Sequence, residues 1–372
     1  MLILWIPLVL IALYIILHAL YVFLWPKGIL VELEFKQRKV TEGQEAVLLE
    51  TLKNDKFLPL PVVRLQFKLD RGLYMLENEN VTVSDTVNVV EYFSVFGREQ
   101  LVRTQRVRAQ KRGYYRIRTS GVAVPELFSL REGYREFTHD TELVVCPGII
   151  ETEDLAVVCE QLIGEMLSRR RIFEDVFTFR GIREYVPTDP ISSINWKASA
   201  KNSGYMVNLR DYTAGQEVRI LLDLDDTKER FIADIFEGAI RIAATAAGSC
   251  IDNHIMTSLV TNGRDVLTGQ EAGVMAGSSA EHTGTIGEAL ARIDLGMERS
   301  PFAERIYEEL SDPSGENVAY LLISPDTGDV KTAAASELGV RRGGIYWICP
   351  VVGDPPEERF VPEGIAFYEV RV

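Results

Sequence analysis

The first 25 residues carry no charged side chain: an apolar and aromatic run interrupted only by Pro7 and His18. As a helix, such a run is about 37 Å long, against a hydrocarbon core of about 30 Å. That length predicts one membrane span, with lipid contact over residues 1–25 and the amphipathic rings of Tyr21 and Trp25 near the interface. A cleaved signal peptide would need a basic leading region and a small-residue cleavage site. No Lys or Arg precedes Lys27, and no A-x-A element lies near the end of the run. The expectation is therefore a retained anchor over residues 1–27. Two spans would need about 40 apolar residues, so the anchor is read as single-pass. Lys27, Lys36, Arg38 and Lys39 follow it, and the positive-inside rule puts the globular body in the cytoplasm.

The remainder of the 372 residues leaves room for two domains. The net charge of −14 argues against a nucleic-acid-binding body, because phosphate contacts need a basic face. It suits basic protein partners. Cys146, Cys159, Cys250 and Cys349 lie far apart, a pattern of buried thiols rather than of a disulfide framework or zinc site.

Residues 28–148 read as strands. Val31, Leu33 and Phe35 alternate with Glu32, Glu34 and Lys36; Val63, Leu65, Phe67 and Leu69 alternate with Arg64, Gln66, Lys68 and Asp70. Period two of this kind buries one face and wets the other. Further β-rich runs at 81–90, 102–109, 114–119 and 143–146, punctuated by Gly and Pro, predict an antiparallel β-sandwich. The basic run containing Arg103, Arg106, Arg108, Lys111, Arg112, Arg116 and Arg118 could meet anionic lipid or an acidic partner. Its period-two spacing also fits the solvated face of alternating strands.

Residues 149–214 connect this domain to the next. A helical stretch at 154–167, with Leu155, Val158, Leu162 and Met166 on one side, precedes a run of mixed chemistry from 179 to 201. Non-periodic segments of this kind are binding loops or ion-pair hubs. Arg183-Glu184-Tyr185, then Asp189, then Ile194-Asn195-Trp196-Lys197-Ala198-Ser199-Ala200-Lys201 resemble the signature of the membrane-associated family known as domain of unknown function 58. Thr188 stands where that family usually has Gly, and Ser192 and Ser193 where it often has Arg. Arg112-Gly113-Tyr114-Tyr115, Leu127-Phe128 and Cys146-Pro147 resemble the end of its β domain. The expectation for the segment is a charged junction of Arg183, Glu184, Asp189 and Lys197 between the two domains, with Trp196 packed in it. Such a junction either fixes domain orientation or presents a partner surface.

From residue 215 to 372 strand and helix alternate, with strands at 218–224, 254–260, 318–324, 345–352 and 366–372 and helices at 229–250, 284–293 and 330–338. This predicts a three-layer α/β domain. Neither GxGxxG nor GxxxxGK[ST] is present, so nucleotide binding has no motif to rest on.

The family resemblance implies that this domain is von Willebrand factor A-like. It implies a Mg²⁺ or other divalent cation held by oxygens at Asp223, Asp225 and Thr227, with Asp326 as a distal carboxylate. The favoured reading is simpler: Asp225 and Asp226 cap the following helix and complement its dipole. The resemblance further implies a partner, an AAA+ ATPase of the MoxR type, in envelope protein maturation or assembly. The leading expectation is thus a non-enzymatic, membrane-anchored adaptor. A metal-assisted hydrolase using Asp223, Asp225 and Asp326, or a structural envelope protein without ATPase coupling, are the alternatives.

Overall fold

The computed structural model describes residues 2–76, 81–83, 87–125, 132–172, 174–186, 191, 194–201, 204–212, 217–225, 233–312, 318–353 and 364–372. It divides into two compact units, Met1–Gly148 and Ile149–Val372.

The first unit opens with helix α1 (Leu2–Leu24), whose residues Ile6–Leu24 are long and apolar enough to cross a membrane. Its last turn does not stand free. Tyr21 and Trp25 are buried in the same apolar cluster as the strand residues that follow. A Cβ on Gly133 would come within 2.4 Å of the Trp25 ring, so the close approach requires glycine at 133. Arg135 donates to the Pro26 carbonyl. The two rings expected at a lipid interface are thus used to fasten the helix end to the β domain.

Ten strands follow: β1 (Ile29–Phe35), β2 (Lys39–Thr41), β3 (Glu45–Asn54), β4 (Leu60–Leu69), β5 (Leu73–Met75), β6 (Val81–Val83), β7 (Val87–Val95), β8 (Glu99–Ala109), β9 (Gly113–Pro125) and β10 (Glu132–Cys146). They form a four-stranded sheet in the order β1-β3-β8-β5 and a six-stranded sheet in the order β2-β10-β9-β4-β7-β6. Every pairing is antiparallel except β2 with β10. The alternation read from the sequence is the burial pattern observed: Ile29, Val31, Leu33 and Phe35 point inward, as do Val63, Leu65, Phe67 and Leu69. One core joins the two sheets. Of the basic run, Arg103 pairs with Glu91, Arg106 and Arg108 with Glu45, and Arg116 with Asp140. For these four that is the behaviour of a solvated strand face, whereas Arg112 is buried.

Two acids break the pattern. The period that buries Leu48 and Leu52 also buries Glu50, and the period that buries Val89 and Phe93 also buries Glu91. Burial first, then the neighbouring Glu91 carboxylate, pushes the Glu50 carboxyl up to about 9, with Arg103 opposing. Glu91 has its own partners in Arg103 and Gln105.

The second unit contains α2 (Glu153–Ile172), β11 (Glu174–Glu184), α3 (Trp196–Ser199), β12 (Met206–Tyr212), β13 (Glu217–Leu222), α4 (Ala233–Asp252), β14 (Met256–Thr261), β15 (Arg264–Asp265), β16 (Val274–Gly277), α5 (Ala280–Ala291), β17 (Ile293–Asp294), α6 (Phe302–Ser311), β18 (Val318–Ile323), α7 (Asp329–Arg342), β19 (Ile345–Val351) and β20 (Ile365–Arg371). The main sheet runs β16-β14-β13-β18-β19-β20. All neighbours are parallel except β16, an antiparallel edge.

Burial on both faces follows from the sequence of β13. Val218, Ile220 and Leu222 join α2, α4 and α5 in one apolar layer, while Leu221 joins α6 and α7 in the other. This makes three layers, helix on sheet on helix. The chain leaves β13 toward β14 on one side and later returns to β18 on the other. The β13/β18 seam is therefore the topological switch point, where ligands bind in open sheets of this kind.

Separate from this sheet, β11 and β12 pair as an antiparallel ribbon. Periodicity did not foretell it. Its register shifts at two points, so no clean alternation runs along it.

Candidate functional site

Two groups of sequence-selected residues are brought together in the second unit, and they differ in kind. The first lies at the carboxyl ends of β13 and β18, where Asp223, Asp225 and Asp326 do converge. They converge on an ammonium group. Lys331 Nζ lies 2.7 Å from Asp223 Oδ2, 3.5 Å from Asp225 Oδ2 and 3.3 Å from Asp326 Oδ2.

Asp223 is fully buried, and its oxygens are used. Oδ1 accepts from the Asp225 backbone N–H at 2.8 Å, and Oδ2 accepts from Ser324 Oγ at 2.6 Å as well as from Lys331. Asp326 Oδ1 accepts from the Gly328 N–H, and the Asp326 N–H donates to Ser324 Oγ. Asp225 Oδ2 accepts from the Phe302 N–H at the start of α6. Asn262 Oδ1 accepts from the Leu224 N–H and pins the loop between them.

The electrostatics follow from burial and opposed charge. Burial pushes the Asp223 carboxyl above its ordinary range, against the pull of Lys331 and the hydrogen bonds it accepts. Burial alone would strip the proton from Lys331. Asp223, Asp225 and Asp326 outweigh that and hold its pKa above the usual lysine value. The lysine stays charged, so it is neither a nucleophile nor a general base at neutral pH.

A divalent cation does not fit this arrangement. An ion at about 2.0–2.6 Å from carboxylate oxygens would have to share the place of the ammonium. Among the described residues, no group of three or more His, Cys, Asp and Glu is arranged to hold a metal ion. Thr227, the remaining candidate ligand, lies outside the described residues.

Lys331 was not among the residues selected from sequence, though a signal existed. Lys331, Ala334, Ala335 and Leu338 form the buried stripe of α7, spaced i, i+3, i+4 and i+7. A lysine in that stripe, within the first helical turn where the macrodipole disfavours cations, needs a buried anionic partner.

The second group is the Arg-Glu-Tyr to Asn-Trp-Lys-Ala-Ser segment. Its polar members hold it in shape. Asn195 Oδ1 accepts from the Ala198 N–H at 2.9 Å and caps the short helix α3. Ser199 Oγ donates to the Asn195 carbonyl and accepts from the Met206 N–H, both at 2.8 Å. The Asn195 N–H donates to the Met206 carbonyl and the Tyr185 N–H to the Tyr205 carbonyl. Arg183 Nη1 donates to the Glu184 carbonyl. Asp189, Thr188, Ser192 and Ser193 lie outside the described residues, as do Leu127 and Phe128 of the β-domain resemblance.

Against expectation, Trp196 is not packed in a charged junction. It is 64% exposed, and Tyr205, against which its ring sits edge-on at 6.1 Å, is 60% exposed. Tyr185 meets Tyr205 edge-on at 6.2 Å. Ile182, Val186 and Ile191 are also exposed, and Glu184, Lys197 and Lys201 lie at the surface beside them. The short helix explains the outcome: Trp196 and Lys197 stay exposed because the side-chain-to-backbone bonds of Asn195 and Ser199, not burial of the aromatic ring, hold the turn. Tyr205 was not selected from sequence, because its role depends on β12 folding back beside β11.

No protein-family profile matches the chain, and no curated protein does. Among solved structures the chain is similar to the CARDB domain of the PF1109 protein of Pyrococcus furiosus, crystallised in complex with di-metal ions. That likeness has 18% identity and a TM-score of 0.22, over 32% of this chain and 90% of that one. It is also similar to a structure of the Coh-OlpA-Doc918 cohesin–dockerin complex of Clostridium thermocellum, with 13% identity and a TM-score of 0.19, over 31% and 98%. Neither likeness carries an argument about activity.

Proposed function

We propose that this chain is a membrane-anchored protein-binding module of the domain of unknown function 58 type, and that the Tyr185–Trp196–Tyr205 face is its docking surface. The observation that carries the reading is the exposure of Trp196 on a turn fixed by hydrogen bonds. A large aromatic held in place but left in water is the usual anatomy of a binding hot spot. Arg183, Lys197 and Lys201 around it outnumber Glu184, so the surface suits a partner that offers an apolar groove edged with acids.

The family resemblance supports, as the partner, an AAA+ ATPase of the MoxR type acting in envelope protein maturation or assembly. The strand order, with the switch point between β13 and β18, supports reading the second unit as von Willebrand factor A-like. Helix α1 supports a single membrane span, and the basic residues after it support a cytoplasmic body. The closed acid cluster gives a metal-assisted hydrolase no support.

The test is affinity purification of the full-length protein from native membranes in mild detergent. An AAA+ ATPase recovered with the wild type and lost with Trp196→Ala is the expected result. Equal recovery with both would remove this surface from the account.

A further inference from the structure

We propose that Lys331 is the resident cation of the β13/β18 switch-point site, a built-in ammonium standing where a divalent ion would otherwise sit. The inference concerns a different part of the unit from the docking surface and does not depend on it.

Four observations combine. The Oδ2 atoms of Asp223, Asp225 and Asp326 all face Lys331 Nζ within 3.5 Å. They stand at the carboxyl ends of the two strands that flank the switch point, the usual ligand position in an open α/β sheet. The lysine side chain is 6% exposed, so its charge is directed inward and is not offered to a partner. It occupies the first turn of α7, where helix electrostatics oppose it, so helix stability does not account for its place.

Three carboxylates around one point is a cation's environment. An ammonium supplies the charge from within the chain, as a hydrogen-bond donor with three N–H groups. The point that the three carboxylates share is then filled without a metal from solution, and folding of this unit is independent of divalent ions. Replacing the ammonium by a neutral side chain leaves three facing carboxylates, which either take up a divalent cation or bind a proton at the buried Asp223.

The experiment uses the full-length protein in detergent micelles. Thermal unfolding is followed by calorimetry with EDTA, Mg²⁺ or Mn²⁺, and bound Mn²⁺ by electron paramagnetic resonance, for the wild type and for Lys331→Met. The wild type is expected to unfold at the same temperature in all three media and to bind no Mn²⁺ that Asp223→Asn would abolish. Lys331→Met is expected to unfold at a lower temperature in EDTA, to recover part of the loss with Mg²⁺ or Mn²⁺, and to show a bound Mn²⁺ signal. Wild-type stabilisation by Mg²⁺, or wild-type Mn²⁺ binding lost in Asp223→Asn, would overturn the proposal. So would a folded Lys331→Met that takes up no ion even at a pH high enough to keep the carboxylates ionised. If that variant does not fold, the wild-type measurements decide the question alone.

Discussion

The acid cluster at the sheet end and the aromatic turn beside β11 and β12 are both built from residues that stand out in the sequence, yet they end in opposite states. In the first, the charges meet one another: Asp223 is fully buried and Lys331 closes on it. In the second, the polar groups of Asn195 and Ser199 are used within the turn, and the large apolar groups are left outside. The difference separates a group of residues that has completed its interactions from one that has not. Motif-like acids at the conventional ligand position can be the less available of the two.

Breaking the closed site should give the largest effect on stability. Lys331→Ala leaves buried carboxylates without their counter-charge, a change that costs about 3–5 kcal/mol, and denaturant unfolding of the full chain should register it. A loss below about 1 kcal/mol would mean that the cluster is not closed. The buried acid without a cation of its own, Glu50, tests the same idea in the first unit. Its folded pKa of about 9 lies above its unfolded value of 4.5. Its favourable contribution is therefore complete below about pH 4.5 and is lost as pH rises toward 9. Glu50→Gln should remove that dependence and stabilise the protein at pH 8, by about 1–3 kcal/mol. Melting temperatures that fall in parallel for both proteins between pH 5 and 9 would refute it.

Smaller effects are expected on the open side. Asn195→Ala removes the cap of α3 and should cost about 1 kcal/mol. It should also weaken partner capture, because the turn no longer holds Trp196 in one orientation. Trp196→Ala should change stability by no more than about 0.5 kcal/mol while weakening association by about 2 kcal/mol or more. If Trp196→Ala instead destabilised the chain as much as Lys331→Ala, the two sites would be alike and the contrast would fail.

Much of the fold was legible because single-strand periodicity carried it. Val31, Leu33 and Phe35 point inward as their alternation says, and the apolar stretch from Val218 to Leu222, interrupted only by the ion-paired Arg219, sits in a sheet covered on both sides. The ribbon of β11 and β12 was not legible, since its two strands are separated by more than twenty residues and pair with register shifts. The acids of the sheet end were legible as a cluster, but their chemistry was not. The residue that decides it, Lys331, is about a hundred positions from Asp223 and reaches it only through the packing of α7 on the sheet. Trp196 and its neighbours were legible as a unit of rare residues; their exposure was not, because it depends on which groups the turn's own hydrogen bonds use.

The most direct test of the central claim is contact itself. A photoreactive residue is introduced in place of Lys201, beside the aromatic turn, and in a second protein in place of Val340, which is 69% exposed on α7 of the same unit. Both full-length proteins are irradiated in native membranes and their adducts identified by mass spectrometry. The account predicts an adduct with an AAA+ ATPase from position 201 and none from position 340. An ATPase adduct from 340 alone, equal adducts from both positions, or no ATPase adduct from 201 would contradict it.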